Sequence, residues 1–97
     1  MTARVGVTVQ DNRGKHRFEA VDESGTVAGF AQYLRREDHI VFTHTEVDEA
    51  FEGQGVGSAL ARGALDAVRS EGLPVIAQCP FIKDFIERHP DYQDLLV

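Results

Sequence analysis

His44 and Glu46 stand two residues apart in "HIVFTHTEV", His39 to Val47, a run in which the residues at period two can share a face. In an extended strand, side chains at i and i+2 point the same way, so this imidazole and carboxylate are set to meet. Histidine exchanges protons nearer neutrality than any other side chain, and a carboxylate beside it orients the ring and favours its charged form. That is the equipment of a general base. A plainer arrangement is open to the same residues: Ile40, Phe42 and His44 lining one half-buried strand face, with the histidine only hydrogen-bonded. Cys79, the single cysteine, directly precedes Pro80. Proline suits the first position of a helix, which makes Cys79 the N-cap, where free amides and the helix dipole stabilise a thiolate. The alternative for Cys79 is a small buried hydrophobe, the ordinary condition of a free cysteine. One cysteine excludes an internal disulfide framework and suits a reducing, cytoplasmic setting. Four scattered histidines offer no zinc-ligand spacing, so no metal site is expected.

Gly53, Gly55 and Gly57 alternate in "FEGQGVGSAL", where the apolar period changes from 2 to 3.6. A glycine loop running into a helix aims several free amide N–H groups and the positive end of the dipole at one spot. Such a spot is an anion site, above all for phosphate. A tight strand-to-helix turn with no ligand needs one glycine for a positive φ, not three. The dinucleotide fingerprint G-x-G-x-x-G/A fails, because Ser58 and Leu60 stand at its sixth position. The Walker loop fails too, because no lysine follows Gly57.

These groups must be carried by one small domain, residues 1–97, with no room for a second core. A net charge of −6, with ten basic residues against sixteen acidic ones, argues against a nucleic-acid surface. No apolar run approaches the ~20 residues that cross a bilayer, so no membrane partner is expected. Four strands are predicted at Arg4–Val9, Lys15–Val21, Thr26–Leu34 and His39–Val47, joined by short turns as an antiparallel meander. A helix follows, with Gly57, Leu60, Ala61, Ala64, Leu65 and Val68 on its apolar stripe and Gly72 stopping it. "PVIAQC" then reads as a buried strand, and a right-handed crossover places it parallel to the fourth. Pro80 opens a second helix with Phe81, Ile82, Phe85 and Ile86 facing inward, ended by Pro90. Tyr92, Leu95 and Leu96 pack the tail. The expected fold class is α+β, an antiparallel meander followed by a β-α-β unit and a C-terminal helix.

The pattern "VDEAFEGQGVGSAL", Val47 to Leu60, resembles the acyl-CoA pyrophosphate loop of the GCN5-related N-acetyltransferases, and the predicted strand order is similar to theirs. "HTEV", "ALD" and "CPF…HPDYQDLL" resemble the very small single-domain yjdJ-type members. The resemblance runs from about Phe18 to Val97. It implies an acetyl-CoA-dependent transfer to a primary amine of a small molecule or a protein. It also implies that coenzyme A would be held by the backbone of Gly53, Gln54, Gly55, Val56, Gly57 and Ser58. Thr45 and Val47 would pair with the pantetheine arm as an extra strand. In that frame His44, supported by Glu46, is the expected base, and Cys79 is expected near the cofactor sulfur. Two features depart from the superfamily: Glu52 stands where Arg or Gln is usual, and the tyrosine that often supplies the acid would fall near Phe85, which has no hydroxyl. The helices that wall the acceptor pocket in larger members are replaced here by the turn Asp11–Gly14. A non-catalytic acyl-CoA-binding module is the alternative reading, and a scaffold domain a third.

Overall fold

The computed structural model describes residues 6–96. Five strands, β1 (Val7–Asn12), β2 (Arg17–Asp22), β3 (Val27–Arg35), β4 (Ile40–Val47) and β5 (Val75–Ala77), form one sheet in the order of the chain. The first four are antiparallel neighbours, and β5 runs parallel to β4. Helix α1 (Val56–Ser70) bridges β4 and β5, α2 (Pro80–Arg88) follows β5, and a 3-10 turn (Pro90–Leu95) closes the tail. The α+β expectation holds. Arg4 and Val5, placed in the first strand by their pattern, lie outside the described residues.

α1 buries Val56, Leu60, Ala61, Ala64, Leu65 and Val68 against Phe18, Ala20, Ala31, Tyr33 and Phe42 of the sheet. Each large apolar side chain so buried contributes roughly 1.5–3 kcal/mol. Glu71 caps α1, and Gly72 follows at φ 74°, the left-handed position that ends many helices. Ile82, Phe85 and Ile86 of α2 join the same buried cluster. The tail lies beside α1: the Tyr92 hydroxyl donates to Asp66 (2.8 Å), and Arg69 donates to Asp94 (2.9 Å). At the far end of the sheet the Tyr33 hydroxyl donates to Asp11, and Arg35 reaches Glu71 at the end of α1 (2.7 Å).

Three inward expectations need correction. Phe81 is 40% exposed, because α2 turns only its Ile82–Phe85–Ile86 stripe to the core. Ile76 is 39% exposed on the middle of β5, whose three residues alternate, so the strand is buried on one face only. Leu96 is 40% exposed, with its backbone bridged to Val75.

Gly63 shows how close α1 sits. A Cβ there would meet the Cβ of Val9 at 2.6 Å and its methyls at 2.7 and 3.0 Å. Alanine gains about 1 kcal/mol of helix propensity, but overpacking costs about 1–3 kcal/mol, and stiff Val9 cannot rotate away. Gly63→Ala is therefore expected to lower the urea midpoint, and Val9→Gly in the same chain to recover part of it. A Gly63→Ala chain as stable as the native one would mean that β1 shifts freely.

Candidate active site

β5 pairs with β4 only through Ile40–Phe42, and there the strands part. The N–H groups of Gln78 and Cys79 both donate to the Phe42 carbonyl (3.0 and 2.9 Å), after which the chain leaves for α2. The rest of β4, Thr43 to Val47, has no neighbour from β5 on that edge. Asp48 N–H donates to Ala28 O, so by alternation Glu46 and His44 turn their backbone groups to β3. Those of Thr45 and Val47 therefore point to the open edge. Backbone amides and carbonyls on such an edge are a template for one more extended chain.

The loop after β4 delivers α1 to this opening. Asp48 caps a short 3-10 turn (Glu49–Phe51) by accepting from Ala50 N–H, and the exposed Glu52 follows. Gly53 (φ 79°) and Gly55 (φ 81°) both take the left-handed conformation that side chains resist. Gly57 is different: it is helical, and a Cβ on it would meet Phe81 Cζ at 2.8 Å. Two of the three glycines thus shape the loop, and the third lets α2 close over α1. Gly55 is the N-cap with no side chain to offer, and the first bond within the helix is Ala59 N–H to Gly55 O. The amides of Val56, Gly57 and Ser58 are left without an acceptor in the helix. These features fit a pyrophosphate and an extended pantetheine arm.

The three candidate side chains divide between the two faces of the sheet. In β4, Phe42 is opposite Tyr33 but His44 is opposite Gln32, so Thr43 is an extra residue and the strand bulges. The bulge reverses the faces. Phe42 is buried, while His44 and Glu46 emerge on the opposite side of the sheet with 54% and 60% of their side chains exposed. A shared face for Ile40, Phe42 and His44 is thereby overturned. His44 Nε2 lies 3.0 Å from Glu46 Oε2, and its ring meets Phe30 edge-on at 6.3 Å. A carboxylate only accepts, so Nε2 is the donor in this pair, and in the neutral ring Nδ1 carries the lone pair.

Cys79 is on the helix side. It is the N-cap of α2, 2% exposed, with its sulfur 3.2 Å from the Thr45 hydroxyl. Residues 44 and 45 alternate, so the imidazole and the thiol flank the open edge of β4 from opposite faces. The Thr45–Cys79 contact joins residues far apart in sequence, and no local pattern signals it. Phe85 is buried and stacks on His89 at 3.9 Å between ring centres. Among the described residues no three His, Cys, Asp or Glu side chains gather as a metal site, and no helix is long and apolar enough to cross a membrane.

Arg17, Glu19 and Phe30 are the residues that sequence reasoning passed over. They share the helix-free face with His44 and Glu46: Arg17 is in register with Gln32 and His44, and Glu19 with Phe30 and Glu46. Their alternation looks like any solvated strand face, so nothing in the sequence singles them out.

Comparison with known proteins gives the fold and the family. Over 99% of the chain superimposes on the solution structure of a GCN5-like protein from Staphylococcus aureus, with a TM-score of 0.67, 28% identity and 91% of that chain covered. The two chains thus share one overall fold. The profile of the GCN5-related N-acetyl-transferases matches residues 17–95, and the chain belongs to that family. It is also 40% identical over 47 residues to protein NATD1 of Bos taurus and 38% identical over 52 residues to NATD1 of Danio rerio. These matches take in 48% and 54% of this chain but only 42% and 47% of theirs, so it spans about half the length of the curated relatives it matches.

Proposed function

We propose that this chain is an N-acetyltransferase that moves the acetyl group of acetyl-CoA to a primary amine. The observation that carries the reading is the open edge of β4, with Thr45 and Val47 facing outward beside the unbonded amides of α1. Gly53 to Ser58 would hold the pyrophosphate, and the backbone of Thr45 and Val47 the pantetheine arm. When bound, acetyl-CoA supplies an activated acetyl thioester. The chain's own residues then handle protons and position. His44 Nδ1 takes the proton of the attacking amine from the helix-free face, and Glu46 fixes the ring and balances the imidazolium. Cys79 and Thr45, on the other face, hold a proton within hydrogen-bond reach of each other and offer it at the edge where a thiolate must leave.

Acetyl-CoA is expected to raise the melting temperature, since a ligand that binds only the folded chain stabilises it by about 2.7 kcal/mol at 100 times its Kd. A thermal scan reads this directly. No shift at millimolar acetyl-CoA ends the proposal. The separation of His44 and Cys79 on two faces favours one second reading, a module that binds acyl-CoA without turnover. Binding without acetylation of any amine in a broad panel would select it.

A further inference from the structure

On the face that carries no helix lies a cavity of about 290 Å³ lined by Arg17, Gly29, Phe30, Glu46 and Asp48, among others, and His44 contacts two of these, Glu46 and Phe30. Its walls have opposite charges. Glu46 and Asp48 lie on the β4 side, and Arg17 comes from β2, with the Phe30 ring of β3 between.

Arg17 is fixed in place. Its Nε donates to Glu19 Oε2 at 2.8 Å, and its guanidinium carbon stands 4.3 Å above the Phe30 ring centre. Glu19 is the anchor: it is 5% exposed, a carboxylate sunk in a sheet face. Burial pushes its carboxyl up, but the hydrogen bonds from Arg17 and Asn12 and the charges of Arg17 and Lys15 outweigh this and hold it below the usual glutamate range. Among the described residues neither terminal nitrogen of Arg17 has a protein partner. A guanidinium locked by a buried carboxylate and an aromatic face, with donors to spare, is arranged to take a planar anion.

We propose that the acceptor is a primary amine that also bears a carboxylate, bound with its carboxylate on Arg17 and its amine toward Glu46 and His44. This rests on the acyl-transfer reading above. Arg17 and His44 start two strands apart, about 10 Å between their backbones, and their guanidinium carbon and ring centre lie 4.3 and 6.3 Å from the Phe30 ring centre. The two ends of the acceptor are therefore separated by several carbons, as in an ω-amino acid or the side-chain amine of a free lysine. The Phe30 ring packs the chain between them. Glu46 and Asp48 favour the ammonium end and repel a second carboxylate.

Three amines of equal length test this with acetyl-CoA: 6-aminohexanoate, 6-aminohexanamide and 1,6-diaminohexane. The carboxylate is expected to raise kcat/KM about 10–100-fold over the amide, the range for a charge-assisted hydrogen bond. Arg17→Gln should remove this preference by raising KM for 6-aminohexanoate, with kcat kept and the amide unaffected. Arg17→Lys, which keeps the charge and loses the fork, should restore part of it. Equal rates for the three amines, a preference for the diamine, or an equal loss for all three in Arg17→Gln would overturn the proposal. The native comparison needs no variant, so a misfolded Arg17→Gln does not spare it. If no amine is acetylated, amide NMR shifts with the same compounds decide. Shifts at residues 17, 27–30 and 46–48 with the carboxylate alone keep the subsite and remove acyl transfer. No shifts with any of the three remove the subsite.

Discussion

Replacing His44 with alanine is expected to lower kcat about 10²–10⁴-fold, the usual contribution of a general base, while acetyl-CoA affinity stays within about twofold. The geometry makes the separation clean. The His44 side chain is 54% exposed and packs only edge-on against Phe30, so its loss should cost little stability, on the order of the 0.5–1.5 kcal/mol of an aromatic pair. Glu46→Gln should cost less than His44→Ala. An amide keeps a hydrogen bond to Nε2, but it no longer balances the imidazolium or requires the tautomer that frees Nδ1. The measurement is kcat with the best amine and acetyl-CoA affinity by titration, on one preparation with a checked melting curve. A His44→Ala chain with native kinetics would end the assignment and leave Cys79, Thr45 or water to take the proton.

Gly55→Val is expected to abolish the thermal shift by acetyl-CoA, about 2.7 kcal/mol at 100 times the native Kd. Gly55 caps α1 at φ 81° and ψ 12°. A left-handed residue costs roughly 1–2 kcal/mol once it carries a Cβ, and more when branched. Valine would therefore push the loop out of shape, besides standing beside the amides of Val56, Gly57 and Ser58. Gly72 supplies the control. It is left-handed at the opposite end of the same helix, with open space around it. Gly72→Val should lose comparable stability and keep its response to acetyl-CoA. If both variants respond alike, the glycine loop serves only the fold.

Much of this architecture is written locally. The change of period at Gly53, the stop at Gly72 and the pair Cys79–Pro80 each depend on neighbouring residues, and each falls where its chemistry requires. The parallel partner of β4 follows from the same logic, because a strand after a crossover helix has few places to go. The face of His44 was not legible. It depends on whether Thr43 is paired or extra, and that is settled between strands by Tyr33 and Phe42 both seeking the core. Phe81 looks like core because it is apolar and stands in the first turn of α2, and only the fold shows it lying over Gly57 with 40% of its surface exposed. Arg17 and Glu19 look like ordinary surface charge until one of them proves buried.

The bulge at Thr43 also sets which kind of genetic change this strand can absorb. Substitutions between Phe42 and Val47 alter one side chain and leave its neighbours facing as before. Deleting Thr43 would remove only the extra residue: Phe42 would stay opposite Tyr33 and His44 opposite Gln32, so strict alternation would keep every following side chain on its present face. The segment should therefore absorb the loss of one residue at the bulge as well as substitutions around it. A chain lacking Thr43 is expected to fold with the His44–Glu46 and Thr45–Cys79 pairs retained. A chain that fails to fold without Thr43 would mean that the bend of the strand at the bulge, and not only the facing of its side chains, is needed.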